Sequence, residues 1–429
     1  MKNIKDISNY KDFLNIIDFK DLLYSIYNLL ENEFNNYLNY DYLKFDPIIF
    51  PKEALLKKEN NVEMIALISS TFAFGNRKAI VNFLKKLFNI LDLNQIQIDL
   101  KKLFIDKKIY ENFLDYFSDN VLYEKLQSDK LFKIINDIPN EEKEIFNIIS
   151  NNIKILFKKY YEKIKNLKYR WLDSKIIFSY ILSIIFFYFN FDNVESFLLN
   201  GKIIDNKSFF LKIEMILNFL NSFTKIFLFI IINKNENIDN NNFYFDKNFS
   251  QKLKKDFIKI NSLTPSLKSS SLKRFMLFLK WCSFYDSLNL GLWNKKFQKY
   301  LLYPLDTHIL NKTTFFILII LYKIDIQNYN LKKSIEKYIN KNINIMNKII
   351  FFSYFYSSNL KEINNEEIKD ILLKNFETFY KKYKICLKNN LKRKSFLKNS
   401  LNDAIIITDF YKIFSKENPL KYDFCLTFL

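Results

Sequence analysis

Apolar residues recur along most of the chain at three- and four-residue spacing, the period of one face of an α-helix. Residues 1–40 alternate Phe, Leu, Ile and Tyr with Asp, Lys and Asn in this register and predict two amphipathic helices. Asp46-Pro47-Ile48-Ile49-Phe50-Pro51 breaks the pattern, because each proline pushes the residue before it out of the α region. A helix resumes at Val62 and runs to Phe72-Ala73-Phe74-Gly75, where Gly75 suits the left-handed position that follows a helix end. Ala66, Ser69, Ser70 and Ala73 line one side of it and let a neighbouring helix approach closely. Asn76-Arg77-Lys78-Ala79-Ile80 opens the next helix, which continues to about Leu91. Residues 92–165 predict two or three surface helices, and Leu167-Lys168-Tyr169-Arg170-Trp171 leads into a buried helix from Lys175. Asn233 to Asn242 is a polar low-complexity loop. Residues 325–400 return to Lys/Asn/Ile helices, and Glu417 to Leu426 closes the pattern.

Composition supports the periodicity. The 429 residues include only three Gly and six Pro, whereas hairpins and sheets depend on such residues at their turns. The fold class is therefore all-α. No repeat at a solenoid period is seen, and no linker separates two cores, so residues 1–429 are expected to form a single all-helical domain with expanded insertions near 92–165 and 325–400.

Phe, Tyr, Ile, Asn and Lys dominate, as AT-rich codons would produce. Residues that need GC-rich codons therefore stand out. They are Arg77, Arg170, Arg274 and Arg393, the tryptophans Trp171, Trp281 and Trp293, and the glycines Gly75, Gly201 and Gly291. Most fall in a few short clusters. The formal net charge of +20 suits a polyanion such as nucleic acid or an anionic membrane surface. The same codon bias also yields lysine, and the lysines are spread along the whole chain.

The three cysteines, Cys282, Cys386 and Cys425, form no Cys-x-x-Cys pair, and there is one histidine. No zinc or iron–sulfur site follows from such spacing, and no metal or organic cofactor is expected. The scattered cysteines suit a reducing cytoplasm, and the start of the chain lacks the apolar core of a signal peptide. The longest apolar run identified, Ile176 to Phe189, falls short of the ~20 residues that span a bilayer. Thr313 to Tyr322 is shorter still. Both predict buried helices, so the expectation is a cytoplasmic protein without a membrane partner.

Two stretches carry candidate chemistry. Ser269, Ser270 or Ser271 can cap a helix that runs to about Ser283. Leu272, Phe275, Met276, Phe278, Leu279 and Cys282 make that helix buried or nearly so. Lys273 then falls in its first turn. The positive end of the helix dipole, adjacent Arg274 and apolar surroundings all disfavour the ammonium and favour a nucleophilic neutral amine. An ordinary lysine reaching to solvent fits the same pattern. In Pro304-Leu305-Asp306-Thr307-His308, Asp306 follows a proline and caps the next helix. It can be only that cap, or a cap whose carboxylate also faces a reacting centre. His308 is a general base, a phosphate contact or a structural residue. Trp281 and Trp293 read as core.

Ser270-Ser271-Leu272-Lys273-Arg274-Phe275-Met276-Leu277-Phe278-Leu279-Lys280-Trp281, Leu290-Gly291-Leu292-Trp293 and Pro304-Leu305-Asp306-Thr307-His308 resemble, in order, the signature of an uncharacterised bacterial family, domain of unknown function 2400. Asp46-Pro47 with Phe50-Pro51, Phe72 to Arg77, Tyr169-Arg170-Trp171 and Asn418 to Phe424 agree with it. That family in turn resembles, more distantly, the helix-hairpin-helix DNA glycosylases of the archaeal 8-oxoguanine glycosylase branch. The resemblance implies a glycosylase-like helical fold with extra peripheral helices. It also implies a base-excision glycosylase/lyase in which Lys273 attacks the sugar C1′ and Asp306 assists. Ser270, Ser271, Arg274, His308 and Arg77 are then expected to contact nucleic acid, double-stranded DNA above all. Leu263-Thr264-Pro265-Ser266-Leu267-Lys268 stands in place of the glycine turn of the usual hairpin. That departure favours the alternatives, a non-catalytic nucleic-acid-binding protein on the same scaffold or a helical interaction scaffold.

Overall fold

In a computed structural model, the structure describes residues 10–39, 44–103, 134, 138, 140–200, 205–233, 247–267, 270–324, 329–359, 365–391, 396–423 and 426. Among these the chain is helical and forms no strand, with a lone bridge between Tyr169 and Leu172. The polar loop beyond Asn233, most of the 104–139 spacer, Gly201, Arg393 and Cys425 lie outside the described residues.

The predicted helix starts hold where a capping side chain marks them. Residues 10–39 form two helices, Tyr10–Ile16 and Phe19–Asn39. Asn76 accepts the Ala79 amide and opens Arg77–Ile90. Asp173 accepts from Lys175 and Ile176 and opens Ser174–Phe191. The break at 46–51 is shorter than the prolines suggest. Asp46 turns the chain by accepting the Ile48 amide, and Ile49–Leu56 is already helical with Pro51 in its first turn. A first-turn residue has no intrahelical partner for its N–H, so proline loses nothing there. The next helix, Val62–Thr71, ends before Gly75, which adopts φ +112° in the turn to Asn76.

Contacts group the chain into two compact units. One comprises Met1–Tyr42, Ser270–Met276 and Leu301–Leu429; the other comprises Leu43–Ser269 and Leu277–Tyr300.

In the first unit Phe19–Asn39 packs against Ile343–Asn359, Asn365–Leu391 and Thr307–Lys323. Thr307–Lys323 is buried from Thr313 to Leu321, as its apolar run predicts. Leu401–Tyr411 lies along Asn365–Leu391, and Ser400 caps it in a reciprocal bond with Asp403. Ile343–Asn359 and Asn365–Leu391, which pack on Phe19–Asn39, fall in the stretch read from sequence as an expanded insertion.

In the second unit Ser174–Phe191 packs along Asn206–Ile232. Phe186, Phe187 and Phe191 interleave with Phe219 and Phe223 at ring separations of 4.8 to 6.0 Å. Ser183 and Thr224 share a hydrogen bond of 2.9 Å at the same contact. Asn206–Ile232 is longer than either apolar run singled out from sequence. These two helices are long and apolar enough to cross a membrane, yet 78% and 83% of their apolar windows are buried within the protein. Here they serve as core helices.

The Leu290-Gly291-Leu292-Trp293 landmark belongs to this unit. Trp293 is buried, and its indole N–H donates to Glu63 at 2.7 Å. Glu63 also accepts from the Val194 amide and the Tyr188 hydroxyl. Burial pushes the Glu63 carboxyl up, against the pull of these three donors. Gly291 sits at φ +61°, and a Cβ there would meet the Tyr285 ring at 2.7 Å. Only glycine fits this turn without strain.

Candidate functional site: a lysine–aspartate pair

Lys273 opens the helix Lys273–Ser283, whose end agrees with the sequence reading. Among the described residues its start does not rest on a serine cap, and Ser269 lies outside them. Leu272 occupies the cap position, its carbonyl receiving the first helical bond from Met276 at 2.9 Å. Ser270 acts one step earlier, its hydroxyl accepting the Leu272 amide at 3.1 Å. Leu272 is fully buried and adopts φ +54°, a left-handed value rare for a bulky residue and costing about 1–3 kcal/mol. The strain is held by burial of the leucine and by its neighbour. Ser271 is itself fully buried and donates its hydroxyl to Asn399. Ser271, expected to contact nucleic acid, therefore faces its own unit and holds the helix start.

Asp306 adopts extended backbone (φ −133°, ψ 179°) and caps Thr307–Lys323, Oδ1 accepting the Ile309 amide at 2.8 Å. Its other oxygen, Oδ2, accepts from Lys273 Nζ at 3.1 Å. The cap and the pair are thus made by different oxygens of one carboxylate. Upstream, the Tyr303 amide donates to Thr408 at 2.9 Å, and the Tyr303 ring stacks on Tyr411 at 4.7 Å. Downstream, Thr313 and Tyr411 share a hydroxyl bond of 3.0 Å. Residues 399–411 therefore hold both halves of the pair, Lys273 through Ser271 and Asp306 through Tyr303 and Thr313.

The pair lies at the edge of solvent, with 33% of the lysine and 22% of the aspartate side chain exposed. Burial pushes the Asp306 carboxyl up. The Lys273 ammonium, the Ile309 amide and His308 outweigh it and hold the group below the usual carboxylate range. A carboxylate kept ionised at this place can stabilise a cation formed next to it. His308 is exposed and Arg274 half-buried in the same unit, one at each helix start. Arg77 belongs to the other unit, where it is half-buried at the first position of Arg77–Ile90. Trp281 and Trp293 are core residues, as read from sequence. Among the described residues no group of three or more His, Cys, Asp and Glu side chains is placed to hold a metal.

Sequence reasoning missed Asn399, Thr408 and Tyr411. The one local signal was Ser400-x-x-Asp403, a capping pattern that marks a helix start without marking its neighbours.

No curated protein and no solved structure matches the chain. A family model does, over residues 46–159 and 135–348, and the family is described as "Protein of unknown function (DUF2400)". The matched residues hold Lys273 and Asp306; residues 399–411 and the closing Asn418 to Phe424 landmark lie beyond them. With most of its length matched, and with the lysine and aspartate stretches inside the match, the chain belongs to the DUF2400 family.

Proposed function

We propose that the chain is a base-excision enzyme acting on DNA, with Lys273 as nucleophile and Asp306 as its partner. The observation that carries this reading is the 3.1 Å contact between Lys273 Nζ and Asp306 Oδ2 at the mouths of two helices. The distant resemblance to helix-hairpin-helix glycosylases supplies the reaction type, and the +20 net charge suits the polyanion. The target nucleotide leaves the stack, at a cost of a few kcal/mol that is least for a damaged base. As the bond from C1′ to the base breaks, the base departs with the electron pair and Asp306 stabilises the cationic sugar. Asp306 also draws a proton from Lys273, and the neutral amine bonds to C1′. Opening of the sugar ring converts this adduct to an imine, from which the 3′ phosphate is eliminated or water releases the enzyme. Arg274, His308 and Ser270 are placed in this reading at the phosphates.

Borohydride trapping on a panel of lesion-bearing duplexes tests it, with Lys273→Gln and Asp306→Asn beside wild type. A covalent adduct in wild type that is absent in Lys273→Gln supports the imine, and the panel then names the base. An adduct that persists in Lys273→Gln, or neither adduct nor base release on any duplex, overturns it.

A second reading, a non-catalytic nucleic-acid-binding protein, is favoured by one observation. The segment after the Lys247–Leu263 helix, Thr264-Pro265-Ser266-Leu267, contains no glycine. A hairpin that offers backbone amides to a phosphate relies on glycine for that close approach. This reading expects salt-dependent binding that survives Lys273→Gln and yields no adduct.

A further inference from the structure

The second unit presents a surface that the lysine–aspartate chemistry does not use. Residues Tyr169 and Leu172 close a tight turn with two backbone hydrogen bonds of 3.0 and 2.9 Å. Between them Arg170 adopts φ +54° and Trp171 is 43% exposed. The Arg170 guanidinium lies 4.8 Å from the centre of the Trp171 ring and 5.6 Å from that of Phe74. Phe74 and Trp171 are 5.4 Å apart with their planes 36° from parallel. Each member is held in place. The Trp171 indole N–H donates to the Ser262 hydroxyl at 3.3 Å. Tyr169 donates its hydroxyl to the Phe74 carbonyl and sets its ring edge-on to Phe74 at 5.0 Å. A Cβ on Gly75 would come within 3.3 Å of Arg170 Nη1, so the glycine leaves room for the guanidinium. Lys163, Lys165 and Lys168, which precede the turn in the chain, are exposed. Among the carboxylates closest in sequence, Glu162 is paired with Lys165 and Asp173 is engaged as a helix cap.

We propose that Phe74, Arg170 and Trp171 form a stacking platform for an unpaired base of single-stranded nucleic acid, with the neighbouring lysines meeting its phosphates. The other two tryptophans are buried in the core, whereas this one is left in water yet fixed by a hydrogen bond, an arginine and a phenylalanine. A fixed, half-exposed indole under a guanidinium offers a flat π-surface with positive charge beside it, which matches a base attached to a phosphate. A base inside a duplex has both faces covered by its neighbours and cannot use such a surface. An acidic peptide would use the lysines and leave the aromatic face idle. This proposal shares only its class of partner with the reading above, and trapping at Lys273 succeeds or fails independently of the test below.

The test titrates the full chain with oligothymidylate. Trp171 is the exposed tryptophan of the three, so quenching of tryptophan emission reports on the platform. Wild type is expected to show saturable quenching that weakens with added salt. By anisotropy of a labelled strand, Trp171→Ala and Arg170→Gln each lower affinity about tenfold or more, and Trp171→Phe keeps most of it. Circular dichroism verifies the fold of each variant. Unchanged emission in wild type where anisotropy saturates, or wild-type affinity in folded Trp171→Ala, overturns the proposal. If Trp171→Ala does not fold, the quenching of wild type and the affinity of Arg170→Gln decide it.

Discussion

Lys273 and Asp306 are 33 residues apart in the chain, yet Nζ of one lies 3.1 Å from Oδ2 of the other. Each sits at the start of its own helix. The lysine is at the positive end of one dipole. The aspartate is at the positive end of another, where a carboxylate is stabilised. Because Asp306 spends Oδ1 on the Ile309 amide and Oδ2 on Lys273, the cap fixes the direction of the oxygen that meets the amine.

This division of labour separates two variants. Asp306→Asn keeps an oxygen for the Ile309 amide, since asparagine caps helices as well as aspartate. It is expected to cost under about 1 kcal/mol of stability, most of it the lost ion pair of a half-exposed site. Adduct formation should still fall about a hundredfold or more, as expected when a positioned base is removed. Asp306→Ala loses the cap as well, at about 1 kcal/mol more. Denaturant unfolding together with trapping rates checks both, and equal stability loss in the two variants would contradict the cap geometry.

The acid limb of stability gives a second expectation. Asp306 is held below its ordinary value of 3.8 in the folded state. Its contribution is therefore present above that value and is lost as pH falls through the folded-state value. Lys273→Gln removes the ammonium that holds the carboxyl down. The difference in melting temperature between wild type and Lys273→Gln should be largest near neutrality and should shrink as pH drops below about 4. A difference that grows on acidification would show that the pair does not hold Asp306 ionised.

Ser271 and Asn399 provide a test of what holds the lysine. Asn399→Ala leaves the buried Ser271 hydroxyl without this acceptor, at a cost of about 1–3 kcal/mol. Adding Ser271→Ala removes the stranded hydroxyl and should recover part of that loss. A double-mutant cycle by urea unfolding measures it. If Asn399→Ala also slows adduct formation at unchanged substrate affinity, residues 399–411 position the nucleophile.

Gly291→Ala addresses the family landmark in the second unit. It meets both a left-handed backbone and the Tyr285 ring, so a loss of about 1 kcal/mol or more is expected. Thermal unfolding checks this, and a neutral substitution would show that the turn adapts freely.

The sequence by itself determined the all-helical class, the apolar helices that become core, and the start of the Asp306 helix. Periodicity and capping are local: the residues that produce them lie within one turn of each other, so the chain order displays them. It also placed Lys273 and Asp306 at helix starts, though their pairing as nucleophile and partner came from the family resemblance and not from local pattern. That the two face one another was an inference the residues did not dictate, since that contact depends on how Phe19–Asn39, Thr307–Lys323 and Leu401–Tyr411 pack within their unit. The tertiary structure alone decided that Ser271 turns inward to Asn399, 128 residues away, and that Leu272 takes a left-handed conformation. It alone left Trp171 in water while burying Trp281 and Trp293. Tryptophans look alike in a sequence; the surface that packing removes from water is set by distant neighbours, and only the folded chain brings those neighbours together.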